Sequence, residues 1–291
     1  MRMHSLAFLT LLILFSCQQK ENIDPMNVFF AMDTGTGSGS PEEKAAMLKE
    51  LGFPGTDFSA LSSFGRSLDQ LPEYLSALDA KGLKLFAVYM TLEMDSDLHC
   101  PADLEKALTV LNGRSTVLWI ALRSKKFEPA SEEGDQAAVS LIRNVAQLAA
   151  EHSLRIALYP HSNFYAERVE DNLRLVRLIN LPNVGLTFNL CHWLRVENGE
   201  NLQEILDKVK SDLFMVTING ADFSPGQDYG FDRLIKPLDT GNYDVLEFVQ
   251  QVRKAGYRGP IGLQGYGIEG DPRINLARSM RTWQSFRTRL K

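Results

Sequence analysis

Two histidines stand just past two apolar runs. Pro160 and His161 follow Leu154–Tyr159, and Leu190, Cys191 and His192 follow Val184–Asn189. A helical segment, Glu167–Leu181, joins the two runs. Imidazole titrates near neutral pH, so two histidines at adjacent strand ends suit general acid–base work. The competing reading for each is a structural histidine bonded at a strand end. Other runs end in polar groups as well: Asp33, Asp57, Tyr89 with Glu93, Arg123, Asn219 with Asp222, and Gln264. Lys236 lies in the loop after Asn219, where it either meets a substrate anion or is a solvated charge. Phe164, Tyr165, Trp193 and Tyr266 are near these ends. Any single Asp or Asn here is more simply a helix cap or a loop-backbone partner. As a set, polar groups beside aromatic walls suit a sugar, whose hydroxyls take hydrogen bonds and whose ring face stacks.

These groups converge only if the elements before them are parallel. The apolar runs predict strands at Asn27–Met32, Gly55–Phe58, Leu83–Met90, Thr116–Leu122, Leu154–Tyr159, Val184–Asn189, Phe214–Asn219 and Pro260–Gln264. Helical patterns fill the intervals. One opens at Pro41 and stops at Gly52; the next are Ser67–Lys81, Pro101–Leu111, Glu132–His152, Glu167–Leu181, Asn201–Val209 and Tyr243–Ala255. A final helix runs from Pro272 to near Arg287. Proline at helix starts and glycine just past helix ends mark the boundaries. The strands are apolar throughout, as strands buried on both faces are. Repeated strand–helix alternation predicts an α/β fold, a single (β/α)8 TIM barrel with its site at the carboxyl ends of the strands. The alternative is a doubly wound open sheet. No GxGxxG follows the first strand, which argues against a nucleotide-binding version.

The barrel accounts for residues 27–291. Before it, a positively charged start and an apolar stretch, Ser5–Ser16, read as a signal peptide over residues 1–16. Leu14-Phe15-Ser16-Cys17 resembles a bacterial lipobox, which makes Cys17 the lipidation site and residues 17–26 a lipidated tether. A plain secretory signal or a membrane anchor is the alternative. The expected location is the bacterial cell envelope, facing the periplasm, on a membrane surface through acyl chains. Of three cysteines, Cys100 and Cys191 then remain, expected as buried free thiols, and there is no CxxC for zinc. The net charge of −5 leaves no basic footprint for nucleic acid. The expected partner is a small-molecule sugar.

The segments LYPH and ERVEDNLRLVRLINLPNVGLTFNLCHWL, then VTINGAD, then KPLDTGNYDVLEFVQQVRKAGYRGPIGLQ carry a family likeness. The chain resembles the xylose-isomerase-like, sugar phosphate isomerase/epimerase barrels from about residue 27 to 285. In the last segment Asp239 stands where the family usually has Gly, followed by Gly241 and Asp244. The resemblance implies a sugar substrate. In many members it also implies one divalent metal held by Glu, Asp, His and Glu after strands five to eight. Those positions here are Tyr159, Asn189, Asn219 and Gln264. Neutral groups offset little of the cost of dehydrating a divalent cation, so no cofactor is expected and the usual pair of Glu bases is gone. The remaining candidates are His161 and His192 as catalytic groups, with Glu93 as the remaining carboxylate base. Tyr159, Asn189, Asn219, Gln264, Lys236, Trp193 and Arg123 are expected to bind substrate. The expected chemistry is proton abstraction next to the carbonyl of a free or keto sugar. A keto-glycoside lyase, a non-catalytic sugar-binding lipoprotein and a metal enzyme rebuilt on His161, His192 and Glu93 are the alternatives.

Overall fold

The computed structural model describes residues 28–95 and 102–290. The expected signal peptide, the tether with Cys17, and Cys100 lie outside the described residues. Eight parallel strands form a closed barrel in sequence order. They are β1 (Phe29–Ala31), β2 (Gly55–Ser59), β3 (Lys84–Glu93), β4 (Val117–Arg123), β5 (Arg155–Leu158), β6 (Val184–Asn189), β7 (Leu213–Ile218) and β8 (Ile261–Leu263). Closure is made by β1 on β8, with Phe29 opposite Ile261 and Ala31 opposite Leu263. An open sheet has no such pairing, so the doubly wound alternative does not hold.

Successive side chains on a strand face opposite sides, and the burial follows that period. Phe30, Ala87, Tyr89, Val117, Trp119, Ala157, Tyr159 and Met215 pack together inside the barrel. Their neighbours, among them Phe29, Val88, Leu118, Ile120, Ile156 and Leu158, face the helices. Those helices are α1 (Pro41–Glu50), α2 (Leu71–Ala80), α3 (Ala102–Leu111), α4 (Asp135–Glu151), α5 (Val169–Ile179), α6 (Leu190–Val196), α7 (Leu202–Val209), α8 (Phe231–Leu234), α9 (Val245–Lys254) and α10 (Pro272–Arg289). On α4 the buried positions Ala138, Leu141, Ile142, Val145, Ala146 and Ala149 recur at helical spacing and form one stripe. Among the described residues no helix is long and apolar enough to cross a membrane.

Two departures from the sequence expectation matter for the site. First, β3 runs on to Glu93, three residues past the expected Met90, and pairs with β4 up to Glu93 opposite Arg123. Second, the residues after β6 form a helix that the sequence reading did not include. Asn189 accepts the His192 backbone N–H at 3.3 Å and caps α6, which starts at once. The short α8 was likewise not anticipated. It lies in the β7 loop and contacts α6.

Candidate functional site

A cavity of about 620 Å³ opens over the carboxyl ends of the strands. Its wall includes Tyr89, Tyr159, His161, His192 and Gln264, with Glu93, Arg123 and Phe164 toward one side and Thr34, Arg66, Phe231 and Tyr266 also on it. The volume is typical of a small-molecule site.

The two histidines meet in this wall. Their ring centroids are 4.2 Å apart. His161 is held by a loop that folds on itself, with the Phe164 N–H donating to the His161 carbonyl at 3.0 Å. His192 is placed by the first turn of α6 and is buried. One residue sets the tautomer of both rings. His161 Nδ1 lies 3.0 Å from the Ser162 carbonyl, which only accepts, so Nδ1 carries the hydrogen and Nε2 keeps a lone pair. The Ser162 backbone N–H donates to His192 Nδ1 at 3.2 Å, so the hydrogen of the neutral His192 ring sits on Nε2. Burial lowers the pKa of His161. Burial, and secondarily the nearby His161, push His192 well below the ordinary imidazole value. Both rings are therefore neutral at pH 7: one offers a base and the other a donor. His161 stacks on Phe164 with ring centroids 3.9 Å apart, and the Arg123 guanidinium lies 5.3 Å from the centre of the same Phe164 ring. Arg123 also pairs with Glu93 at 3.4 Å.

Beside the histidines, Tyr159 is buried under the cavity with its ring against Tyr89, Trp119 and His192. Asn189 Nδ2 and, at 3.4 Å, Gln264 Nε2 donate to its phenolic oxygen. Both amide orientations are fixed from behind. Asn189 Oδ1 accepts the His192 N–H, and Gln264 Oε1 accepts the N–H groups of Gly265 (2.9 Å) and Tyr266 (3.0 Å). Backbone N–H groups only donate, so the amide oxygens face them and the NH₂ groups face the phenol.

Several expected binding residues stand elsewhere. Trp193 does not line the cavity; it is buried between Phe188 and Phe248 in the core around the barrel. Asn189 and Asn219 stand behind the wall. Asn219 Nδ2 is used by the carbonyls of Gly220 (2.9 Å) and Leu234, so it braces the β7 loop against α8. Lys236 is turned to Asp222, whose pKa is lowered chiefly by that hydrogen bond, and its backbone pairs with Gly220. Asp33 and Asp57 are fully buried rather than cavity-facing, and Arg66 is paired with Asp33. Arg66, Thr34 and Phe231 reach the cavity from loops and from α8, and nothing in their local sequence marked them.

The metal implied by the resemblance does not fit these residues. Of the four positions, Asn189 and Gln264 present N–H groups to a phenol, Asn219 gives its NH₂ to backbone carbonyls and leaves its buried Oδ1 without a partner, and the fourth is the phenol itself. An N–H donor has no lone pair to give a cation, and one neutral amide oxygen, at Asn219, offsets little of the cost of dehydrating a divalent ion. Among the described residues no group of three or more His, Cys, Asp or Glu is placed to hold a metal ion.

A family model described as a xylose isomerase-like TIM barrel matches residues 45–285. Searched against curated proteins, the sequence has no significant match. Among solved structures, the fold is similar to 3-keto-D-glucoside 4-epimerase from E. coli, at 17% identity and TM-score 0.67 over 90% of this chain and 99% of that one. It is also similar to D-allulose 3-epimerase from Methylomonas sp. in complex with D-allulose, at 17% identity and TM-score 0.67 over 88% and 96%. The probable 3-DHS dehydratase AsbF from Bacillus anthracis aligns at 19% identity and TM-score 0.65 over 88% and 98%.

Proposed function

We propose that this chain, which belongs to the xylose isomerase-like TIM barrel family, is an enzyme that removes a proton next to the carbonyl of a free or keto sugar. The observation that carries the reading is the His161–His192 pair, held in opposite tautomers by Ser162. His161 Nε2 takes the proton from the carbon beside the carbonyl, and the electron pair moves into an enediolate. His192 Nε2–H donates a hydrogen bond or a proton to the developing charge. Return of a proton to the neighbouring carbon isomerises the sugar, return to the same carbon epimerises it, and loss of a β-substituent eliminates. Rings 4.2 Å apart leave no room for a substrate carbon between them. Both therefore act from one face, which favours isomerisation or syn-elimination over inversion. Two epimerases and a probable dehydratase among the structural neighbours support this reading.

The test is hydrogen exchange in D₂O with a 3-keto-D-glucoside and with D-allulose, followed by NMR. The wild type exchanges the proton next to the carbonyl. Replacing His161 and His192 by Ala removes general acid–base catalysis and lowers that rate by about 10²–10⁴-fold. Full exchange by the double variant would sink the assignment. A second reading, a sugar-binding lipoprotein without turnover, is favoured by the neutral groups at Tyr159, Asn189, Asn219 and Gln264. It requires sugar binding with no exchange at any protein concentration. In either case the mature protein is carried on the periplasm-facing envelope surface by acyl chains on Cys17. Cys17→Ser then moves it from the detergent phase to the aqueous phase.

A further inference from the structure

We infer that the phenolic hydroxyl of Tyr159, aimed by Asn189 and Gln264, donates a hydrogen bond to the carbonyl oxygen of the bound sugar and does the polarising work a metal does elsewhere in this family. The inference rests on the proton-abstraction reading for its catalytic part, while the hydrogen bond itself requires only that a carbonyl sugar binds.

Two amide NH₂ groups, from Asn189 and Gln264, approach the phenolic oxygen. Neither amide can turn over, because each oxygen is held by backbone N–H groups. The phenol thus accepts from both neighbours, and its own hydrogen has no acceptor in either of them. Tyr159 lines the cavity beside His192 and Gln264, so the remaining direction for that hydrogen is the cavity. Rings of Tyr89, Trp119 and His192 hold the aromatic plane. Burial keeps the hydroxyl protonated, its pKa raised well above the ordinary phenol value. A neutral donor, fixed before the reaction and shielded from water, is what a developing enolate oxygen needs. The two accepted hydrogen bonds polarise the O–H further.

The experiment uses methyl 3-keto-D-glucoside labelled with ¹³C at its carbonyl, bound to the protein and read by infrared difference spectroscopy. The wild type is expected to lower the carbonyl stretch relative to the sugar in water-free reference solvent, and His161→Ala to lower it equally. Tyr159→Phe should lose the shift and slow D₂O exchange by about 10²–10³-fold with little change in KM, as removal of an oxyanion donor does. Tyr159→Phe also leaves the Asn189 amide without its acceptor, so a second variant carries 3,5-difluorotyrosine at position 159. It keeps the ring and both accepted bonds, strengthens the donor, and should enlarge the shift. An identical stretch in wild type and Tyr159→Phe overturns the inference, and exchange that persists in that variant leaves the histidine reading standing. A shift without exchange in the wild type overturns catalysis and keeps the donor. Failure of the sugar to bind at any concentration overturns both. Stoichiometric Mn²⁺ binding by the wild type in calorimetry, abolished in Tyr159→Phe, would make position 159 part of a metal site and overturn the inference without reference to activity.

Discussion

Asp57, inside β2, accepts the backbone N–H of Asp33, just past β1, at 2.6 Å, which buries two carboxyl groups against each other on neighbouring strands. Arg66 donates to Asp33, and the Ser59 hydroxyl donates to Asp57 at 3.0 Å. Lys44 and Tyr74 are buried close by. Burial, and then the charge of Asp33, push Asp57 up to about 8. Asp33 is raised as well, chiefly by burial, with Arg66 opposing.

This pair makes stability depend on pH in a direction opposite to ordinary acid unfolding. The folded chain keeps a proton that the unfolded chain loses in the ordinary carboxylate range. Stability is then greatest near pH 4 for this term and falls as pH rises toward 8, by at most about 1.4 kcal/mol per pH unit for one proton. Asp57→Asn holds the shape without the titration and should flatten the slope between pH 5 and 8. Urea midpoints across that range measure it, and an unchanged slope would count against the shared proton.

The histidines act in the reverse sense. Both pKa values are lowered, so acidification charges them in the unfolded chain first, and folding stability from this source is lost as pH falls below about 6.5. Activity follows the same group: His161 must be neutral to accept a proton. The acid limb of kcat/KM is expected below pH 6.5, and a midpoint above that value would remove His161 as the base.

Glu93 and Arg123 pair at 3.4 Å on the cavity rim, each side chain nearly half exposed. Such a pair adds about 0–1 kcal/mol to stability. Glu93→Gln should leave the denaturation midpoint nearly unchanged, raise KM a few-fold by freeing Arg123, and leave kcat within about threefold. A fall of kcat by about 10²-fold or more, the scale of a lost general base, would instead make Glu93 the base.

Gly220 begins the loop that carries Lys236 and α8. A Cβ at this position would overlap the carbonyl oxygens of Pro237 and Thr240. These are backbone atoms in a braced loop and cannot swing aside. Gly220→Ala is expected to cost about 1–3 kcal/mol, the scale of overpacking, read as a lower urea midpoint.

Much of the cavity lining was legible in the order of residues. Apolar runs ended by polar clusters give strands whose carboxyl ends must converge once the sheet closes, and that places His161, His192, Tyr159, Gln264, Arg123 and Glu93 around one cavity. The physical reason is local: strand burial and helix boundaries are written in neighbouring side chains. Orientation is not. Trp193 follows His192 directly, yet a helical step turns it about 100° from the cavity into the core, and the sequence did not show that a helix starts at Leu190. Arg66 joins the cavity through Asp33, 33 residues away. The tautomers of the two histidines depend on the carbonyl and N–H of Ser162, and the direction of the Tyr159 hydroxyl depends on which end of two amides meets backbone donors. Backbone groups are the same in every residue, so no side-chain pattern records where they point; only the closed barrel decides it.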